Sequence, residues 1–308
     1  MKRFSNVLFF ADGSSEPSAA LARAFTLAQD NIATLTIADV VEPFSTPTEV
    51  TSHLAFDLED MLLQRCKEQL DRLAKGADPR GLEVMTRVYS GVGFIEIIRA
   101  VQHEGFDLLV KPGRGAQGLT DRLFGSTDMH LLRKCPCPVW IDQASAKPNY
   151  ETILAAVDPN DDSDALSRLV LDLATSMAQR ESARLNIVHV WRMPGESVIR
   201  EGRYRLPELE LQALLDSTEA RHRETLARLL RHYDLAVDDP AVHIVKGTPA
   251  PAIRDTAVSL GADLIVMGTV GRTGLPGFFI GNTAEEVLQT ATTSVLAVKP
   301  AGFESPVV

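Results

Sequence analysis

The stretch Ala262-Asp263-Leu264-Ile265-Val266-Met267-Gly268-Thr269-Val270-Gly271-Arg272-Thr273-Gly274, resumed at Gly281-Asn282-Thr283-Ala284-Glu285-Glu286-Val287-Leu288, decides the fold. Its opening run is apolar and of strand length, and its closing residues have helical apolar spacing. Between them lies a ladder of glycines. A strand, a glycine-rich turn and a helix N-terminus together form a seat for an anion. Glycine permits positive φ and close approach, while first-turn N–H groups and the helix dipole attract negative charge. Gly268, Gly271, Gly281, Asn282 and Thr283 are the candidate residues around a phosphate. A tight loop with no ligand is the plainer alternative, and the preceding strand favours the anion site.

The pattern occurs twice. Gly105-Phe106-Asp107-Leu108-Leu109-Val110 parallels Gly261-Ala262-Asp263-Leu264-Ile265-Val266, and Gly125-Ser126-Thr127 parallels Gly281-Asn282-Thr283, both at an offset of 156 (261 − 105 and 281 − 125). Phe10-Ala11-Asp12 parallels Ala156-Val157-Asp158 at an offset of 146 (156 − 10), so the second copy carries insertions. A period this long marks a duplicated domain, because solenoid units are much shorter. The polar stretch Ala144-Ser145-Ala146-Lys147-Pro148-Asn149 gives the boundary, with domains 1–146 and 147–308. In the second copy, strands are expected at 153–157, 185–191, 242–245, 264–267 and 295–298. Helices are expected near 165–179, 207–233, 251–259 and 283–289. Such alternation implies an α/β fold with a parallel sheet covered on both faces. Ligands of such sheets bind beyond the strands' carboxyl ends, where Asp158, Val190 and the ladder fall.

Bulk properties narrow the function. The chain has 308 residues, a net charge of −10 and a hydrophobic fraction of 45%. Its negative field repels duplex nucleic acid. No apolar run approaches the ~20 residues that span a bilayer, and the apolar start at 1–10 has no cleavage pattern after it. A cytoplasmic protein with neither a nucleic-acid nor a membrane partner is expected. Three cysteines make a poor disulfide framework.

Individual side chains are read conservatively. His189, at the end of an apolar strand, reads as a satisfied core histidine. Cys135-Pro136-Cys137 offers two ligands where zinc takes four, so packing is expected there, and Cys66 reads as structural. The cluster at 219–224 reads as a solvated helix face laced by i,i+3 and i,i+4 pairs. The polar segment 192–206 reads as a mobile loop at the pocket mouth, with a lid as its hypothetical role. Asp158 either touches the ligand or caps the following helix; Arg272 pairs with phosphate or, in the favoured reading, is solvated. No Ser-His-Asp or Cys-His arrangement and no GxxxxGK[ST] loop is present. No catalytic or metal-ligating residue is therefore assigned, and at most a weak ATPase activity is expected.

With these residues in place, Gly268-x2-Gly271-x9-Gly281 after a strand ending Val157-Asp158 resembles the nucleotide-binding motif of universal stress proteins. The runs from Ser126 to Trp140 and from Gly268 to Glu285 resemble the two domains of its UspE branch. The resemblance implies two tandem Rossmann-like domains of the adenine-nucleotide α-hydrolase-like type. Each is a five-stranded parallel sheet flanked by helices, with the last strand or its surroundings pairing the domains. It also implies a stress-response role and a site for ATP or another adenine nucleotide, with or without Mg2+. By resemblance Asp158 faces the ribose or base, the Val190 backbone holds adenine and Met267 lines the base pocket. Gly268, Gly271 and Gly281 surround ribose and phosphates. Asn282 stands where the family usually has Ser or Thr, but a carboxamide still donates and Thr283 adds a hydroxyl.

The first copy departs further, because Pro112 replaces the first motif glycine and removes an N–H; Asp39 stands in place of His189. Its site is expected to be weakened or lost. An unknown protein partner, and either a monomer with a pseudo-two-fold domain pair or a homodimer, complete the expectation. Two alternatives remain. One is a nucleotide-independent module enclosing an apolar or amphiphilic ligand, with Phe44, Leu54, Phe56, Trp191 and Leu206 as lining. The other is an adenylating enzyme, which the acids at 158–164 disfavour by repelling pyrophosphate.

Overall fold

The computed structural model describes residues 3–14, 18–43, 52–76, 81–113, 125–143, 149–159, 164–201, 206–269 and 280–308, without the side chains of 52–58 and 201. Gly271 and Arg272 lie outside them, as do Phe44 and the side chains of Leu54 and Phe56.

The first half runs β1 (Asn6–Phe10), α1 (Ala19–Asn31), β2 (Thr34–Val41), α2 (Ser52–Gly76), β3 (Val84–Ser90), α3 (Gly93–Glu104), β4 (Leu108–Pro112), α4 (Ser126–Lys134) and β5 (Val139–Asp142). The second runs β6 (Thr152–Ala156), α5 (Asp164–Glu181), β7 (Arg184–Trp191), α6 (Glu196–Glu201), α7 (Glu208–Leu230), β8 (Val242–Lys246), α8 (Pro249–Leu260), β9 (Leu264–Gly268), α9 (Asn282–Thr290) and β10 (Ser294–Val298). All five expected strands and four expected helices of the second half are present. Segment 192–206 differs from its reading as a loop, because it contains α6. That helix is short and polar, and it is held by Glu196, which pairs with Arg200 one turn on and with Lys246 of β8 at 2.7 Å. Those contacts are tertiary, so no apolar periodicity announces them.

The described strands form one ten-stranded sheet in the order β3-β2-β1-β4-β5-β10-β9-β6-β7-β8. Within each half the pairing is parallel, as expected, and the halves meet where β5 and β10 pair antiparallel. The two registers match: Val7 faces Leu108 in the first half, and Ile153 faces Leu264 in the second. Trp140 faces Leu296, its own counterpart at the 156-residue offset. A pseudo-two-fold axis therefore passes through that pair, and the carboxyl ends of the two halves point to opposite edges of the sheet.

Strand side chains alternate between the two faces, as the pleat requires. Val7 and Phe9 pack with α1, α2, α5 and α7, while Leu8 and Phe10 pack with α3, α4, α8 and α9. In each half the strand order reverses beside the first strand, and this opens a crevice at the carboxyl edge. That crevice lies between β1 and β4 in one half and between β6 and β9 in the other.

A buried polar hub closes the junction. The Asp142 carboxylate, 1% exposed, accepts from Arg23 of α1, from the Tyr150 hydroxyl and from Ser294 of β10 at 3.0 Å. Trp140 donates to the same tyrosine oxygen at 3.1 Å, and the Arg23 guanidinium stacks on the Tyr150 ring at 4.3 Å. Burial and the neighbouring Asp142 charge push the Tyr150 phenol up. Removing one partner of a buried ion pair strands the other charge. Asp142→Ala is therefore expected to lower stability by about 3–5 kcal/mol in equilibrium urea denaturation. The double variant Arg23→Met/Asp142→Ala should recover part of that loss; a double variant no better than the single would contradict the ion-pair account.

Candidate functional site

The crevice of the second half is built from the ends of β6, β7 and β9 and the start of α9. Asp158 is exposed, two residues past the end of β6. Asp164 is the first described residue of α5. The β6–β7 register ends at Ala156↔Val188, so Val190 lies beyond the end of β6 at the same edge. Met267 is buried between Ala156 and Ala297, and Gly268 follows it as the last residue of β9. Gly281, Asn282 and Thr283 form the N-cap and first turn of α9. The structure thus gathers Asp158, Val190, Met267, Gly268, Gly281, Asn282 and Thr283 at one carboxyl edge.

The two described motif glycines, Gly268 and Gly281, do not use the positive φ that was expected of the ladder. Gly268 is absent from the positive-φ residues, and Gly281 sits at φ −65°. A Cβ on Gly268 would stand 2.6 Å from the Leu166 methyl of α5, so its smallness serves helix–sheet packing. Thr269 anchors the next turn, with its amide donating to Val298 and its carbonyl accepting from the Gly281 amide at 2.7 Å. Gly281 has no side chain with which to cap α9, whose first-turn amides have no partner within the helix.

Beneath the ladder lies Lys299, which sequence reasoning missed. It is buried, and its ammonium donates to Thr269 Oγ1 at 2.7 Å and to the Leu132 carbonyl of α4 at 2.6 Å. It also lies 4.8 Å from the Phe303 ring. Burial pulls its pKa down to about 8. Its signal was a lysine directly after an apolar strand, a position usually read as solvent-facing.

His189 is fully buried, and its Nδ1 lies 3.1 Å from the Val157 carbonyl. A carbonyl only accepts, so Nδ1 carries a proton. In the neutral ring Nε2 then accepts from His222 Nδ1 at 2.9 Å. The satisfied core histidine is as expected, but His222 is not on a solvated face. It turns inward from α7 and lies 5.9 Å from the Trp191 ring, while Arg223 beside it pairs outward with Glu219 and Asp238. Trp191 and Leu206 pack with Met193, Leu211 and Leu215 as core between β7 and the helices over it. Cys135 and Cys137 are buried 3.5 Å apart, consistent with packing, and burial pushes the Cys66 thiol up to about 11.

The equivalent crevice of the first half is organised differently. Lys111 stands where the second half has Met267, and it is 1% exposed. Its ammonium lies 2.8 Å from Asp12 and 2.8 Å from Asp128. The other Asp128 oxygen accepts from the Gly125 amide at 2.8 Å, and Asp39 accepts from the Gly13 and Val40 amides. Burial raises the Asp39 pKa.

The model of the "Universal stress protein family" matches residues 3–142 and again 149–299. The chain belongs to the universal stress protein family. As a tandem member it is 29% identical to Universal stress protein E of Salmonella typhi over 319 aligned positions, covering 100% of this chain and 98% of that one. It is 31% identical to Universal stress protein E of Escherichia coli K12, over 70% of this chain and 67% of the relative. A universal stress protein crystal structure from Pseudomonas aeruginosa UCBPP-PA14 matches 97% of this chain and 94% of its own, at 28% identity and TM-score 0.70. The chain is thus similar to UspE-type proteins along its whole length. Among the described residues no helix is long and apolar enough to cross a membrane.

Lys299 gives this universal stress protein a measurable pH dependence. Its folded-state pKa near 8 lies below its ordinary 10.5. Between these values the unfolded chain holds the proton and the folded chain does not, so stability rises with pH. The rise should reach about 3 kcal/mol across that window, read as the difference between the wild-type chain and Lys299→Met in urea melts at pH 7.5 and 10.5. Identical pH slopes in the two proteins would contradict it.

Proposed function

We propose that this chain is a cytoplasmic stress-response binding protein whose second half holds one adenine nucleotide, ATP, ADP or AMP. It acts through conformation or partner choice, with turnover at most slow. The observation that carries the reading is the α9 N-terminus: its Gly281 N-cap brings no side chain of its own to the first-turn amides, and it lies at the same carboxyl edge as Asp158 and Val190. First-turn amides and the helix dipole suit a phosphate, and the exposed Asp158 carboxylate suits a ribose hydroxyl. The Val190 backbone, past the end of β6, suits the edge of a base. Met267 supplies an apolar wall, and Gly271 and Arg272 join the site through the resemblance alone. Mg2+, where a triphosphate is bound, would neutralise phosphate charge beside an acidic protein. A single chain already contains the family's paired-domain arrangement, so a monomer suffices.

Support also comes from the contrast between the halves. The first crevice sets the Asp128 carboxylate on the Gly125 amide, whereas in the second the matching Gly281 amide donates to the Thr269 carbonyl and neutral Ala284 stands in place of Asp128. Calorimetric titration with ATP, ADP and AMP should show binding at one equivalent per chain. Gly281→Asp places a carboxylate at the N-cap, where it caps the helix itself and repels phosphate. Affinity should fall at least about tenfold, the equivalent of losing one charge-assisted hydrogen bond. Gly271→Asp should act in the same direction. Unchanged affinity in Gly281→Asp, or no binding of any of the three nucleotides, would overturn the reading.

A further inference from the structure

The first half keeps the architecture of the crevice but changes what fills it. Counterparts fall at fixed offsets, so Lys111, Pro112 and Asp128 stand where the second half has Met267, Gly268 and Ala284. The three replacements belong together. Lys111 extends from β4, Asp128 reaches back from the first turn of α4, and Asp12 follows β1, so the ammonium sits between the two sides of the crevice. It also donates to the Pro112 carbonyl at 3.1 Å. The Lys111 and Asp128 side chains are almost wholly buried, and Asp12 closes the outer side at 26% exposure.

We propose that the first half is a nucleotide-type cleft closed from within. The Lys111 ammonium, clamped by Asp12 and Asp128, bridges the two sides of the crevice where a base and ribose would enter, and these residues restrict the chain to a single nucleotide. The proposal rests on the reading of the second half as the nucleotide site. Two physical effects act together. Lys111 holds a clamped charge across the crevice, and the clamp is kept because withdrawing the lysine would leave buried Asp128 uncompensated. The carboxylates repel an incoming phosphate, and Asp128 sets its charge at the N-terminus of α4, where a phosphate would sit. Asp39 engages the Gly13 amide on the other side of the crevice, where the second half has His189. Carboxylates thus stand on both sides of this edge, on the Gly125 amide and on the Gly13 amide.

Exchanging the three residues for their own counterparts tests this directly. K111M/P112G/D128A removes the buried lysine and the buried Asp128 together, so neither is orphaned, and it clears the α4 N-terminus of its carboxylate. Equilibrium dialysis against radiolabelled ATP should give one equivalent per wild-type chain and two per triple variant. Adding G281D to the triple variant should leave one equivalent, now in the first half. One equivalent in both the wild-type chain and the folded triple variant defeats this proposal while leaving the second-half site intact. No binding by the wild-type chain defeats the second-half reading instead. If circular dichroism shows the triple variant unfolded, K111M/D128A, which keeps Pro112, carries the same count.

Discussion

The antiparallel pairing of β5 with β10, locked by the buried Asp142 carboxylate, is the constraint from which the rest of the arrangement follows. Asp142 terminates β5 and gathers Arg23 from the first half, Tyr150 from the segment between halves and Ser294 from the second. A buried carboxylate with these partners tolerates little displacement, since each partner lost leaves a desolvated polar group. The hub therefore fixes the register at Trp140↔Leu296, and that register sets the two-fold relation. Each half's parallel strands then end at opposite edges of one sheet, so the two crevices are lined by different residues.

They are nevertheless joined through one helix. The first turn of α4 supplies Asp128 to the Lys111 clamp, and a turn later its Leu132 carbonyl receives the Lys299 ammonium from beneath the second half's ladder. Arg133 on the same helix pairs with Glu285 of α9. A helix of nine residues thus touches the filled crevice at one end and the base of the open one at the other. Duplication produced two equivalent frameworks, and the side chains at a few matching positions made them unequal.

Much of this was legible in the chain itself. The 156-residue repeat and the apolar runs gave the two parallel halves and the strands of the second half, because buried strands have no polar residues to blur them. The junction was legible only as a family expectation, as nothing local in 139–142 or 294–298 distinguishes an antiparallel neighbour from a parallel one. The Lys111 clamp was opaque for a different reason. Its partners lie 99 and 17 residues away (111 − 12 and 128 − 111), and only the fold brings them to one ammonium. Proline at 112 drew attention to the loss of an N–H, while the lysine beside it carried the larger effect. His222 was hidden within a charged helical run, where one inward residue does not alter the amphipathic pattern. Gly268 shows the reverse error. Its presence suggested a conformational need, yet the Leu166 methyl packed against it explains the residue.

One open crevice and one closed from within is the central claim, and native mass spectrometry of the intact chain titrated with ATP tests it most directly. The account requires a single adduct of one nucleotide mass that saturates before any second adduct grows in. Two adducts rising in parallel, or a chain that stays bare at saturating nucleotide, would contradict it.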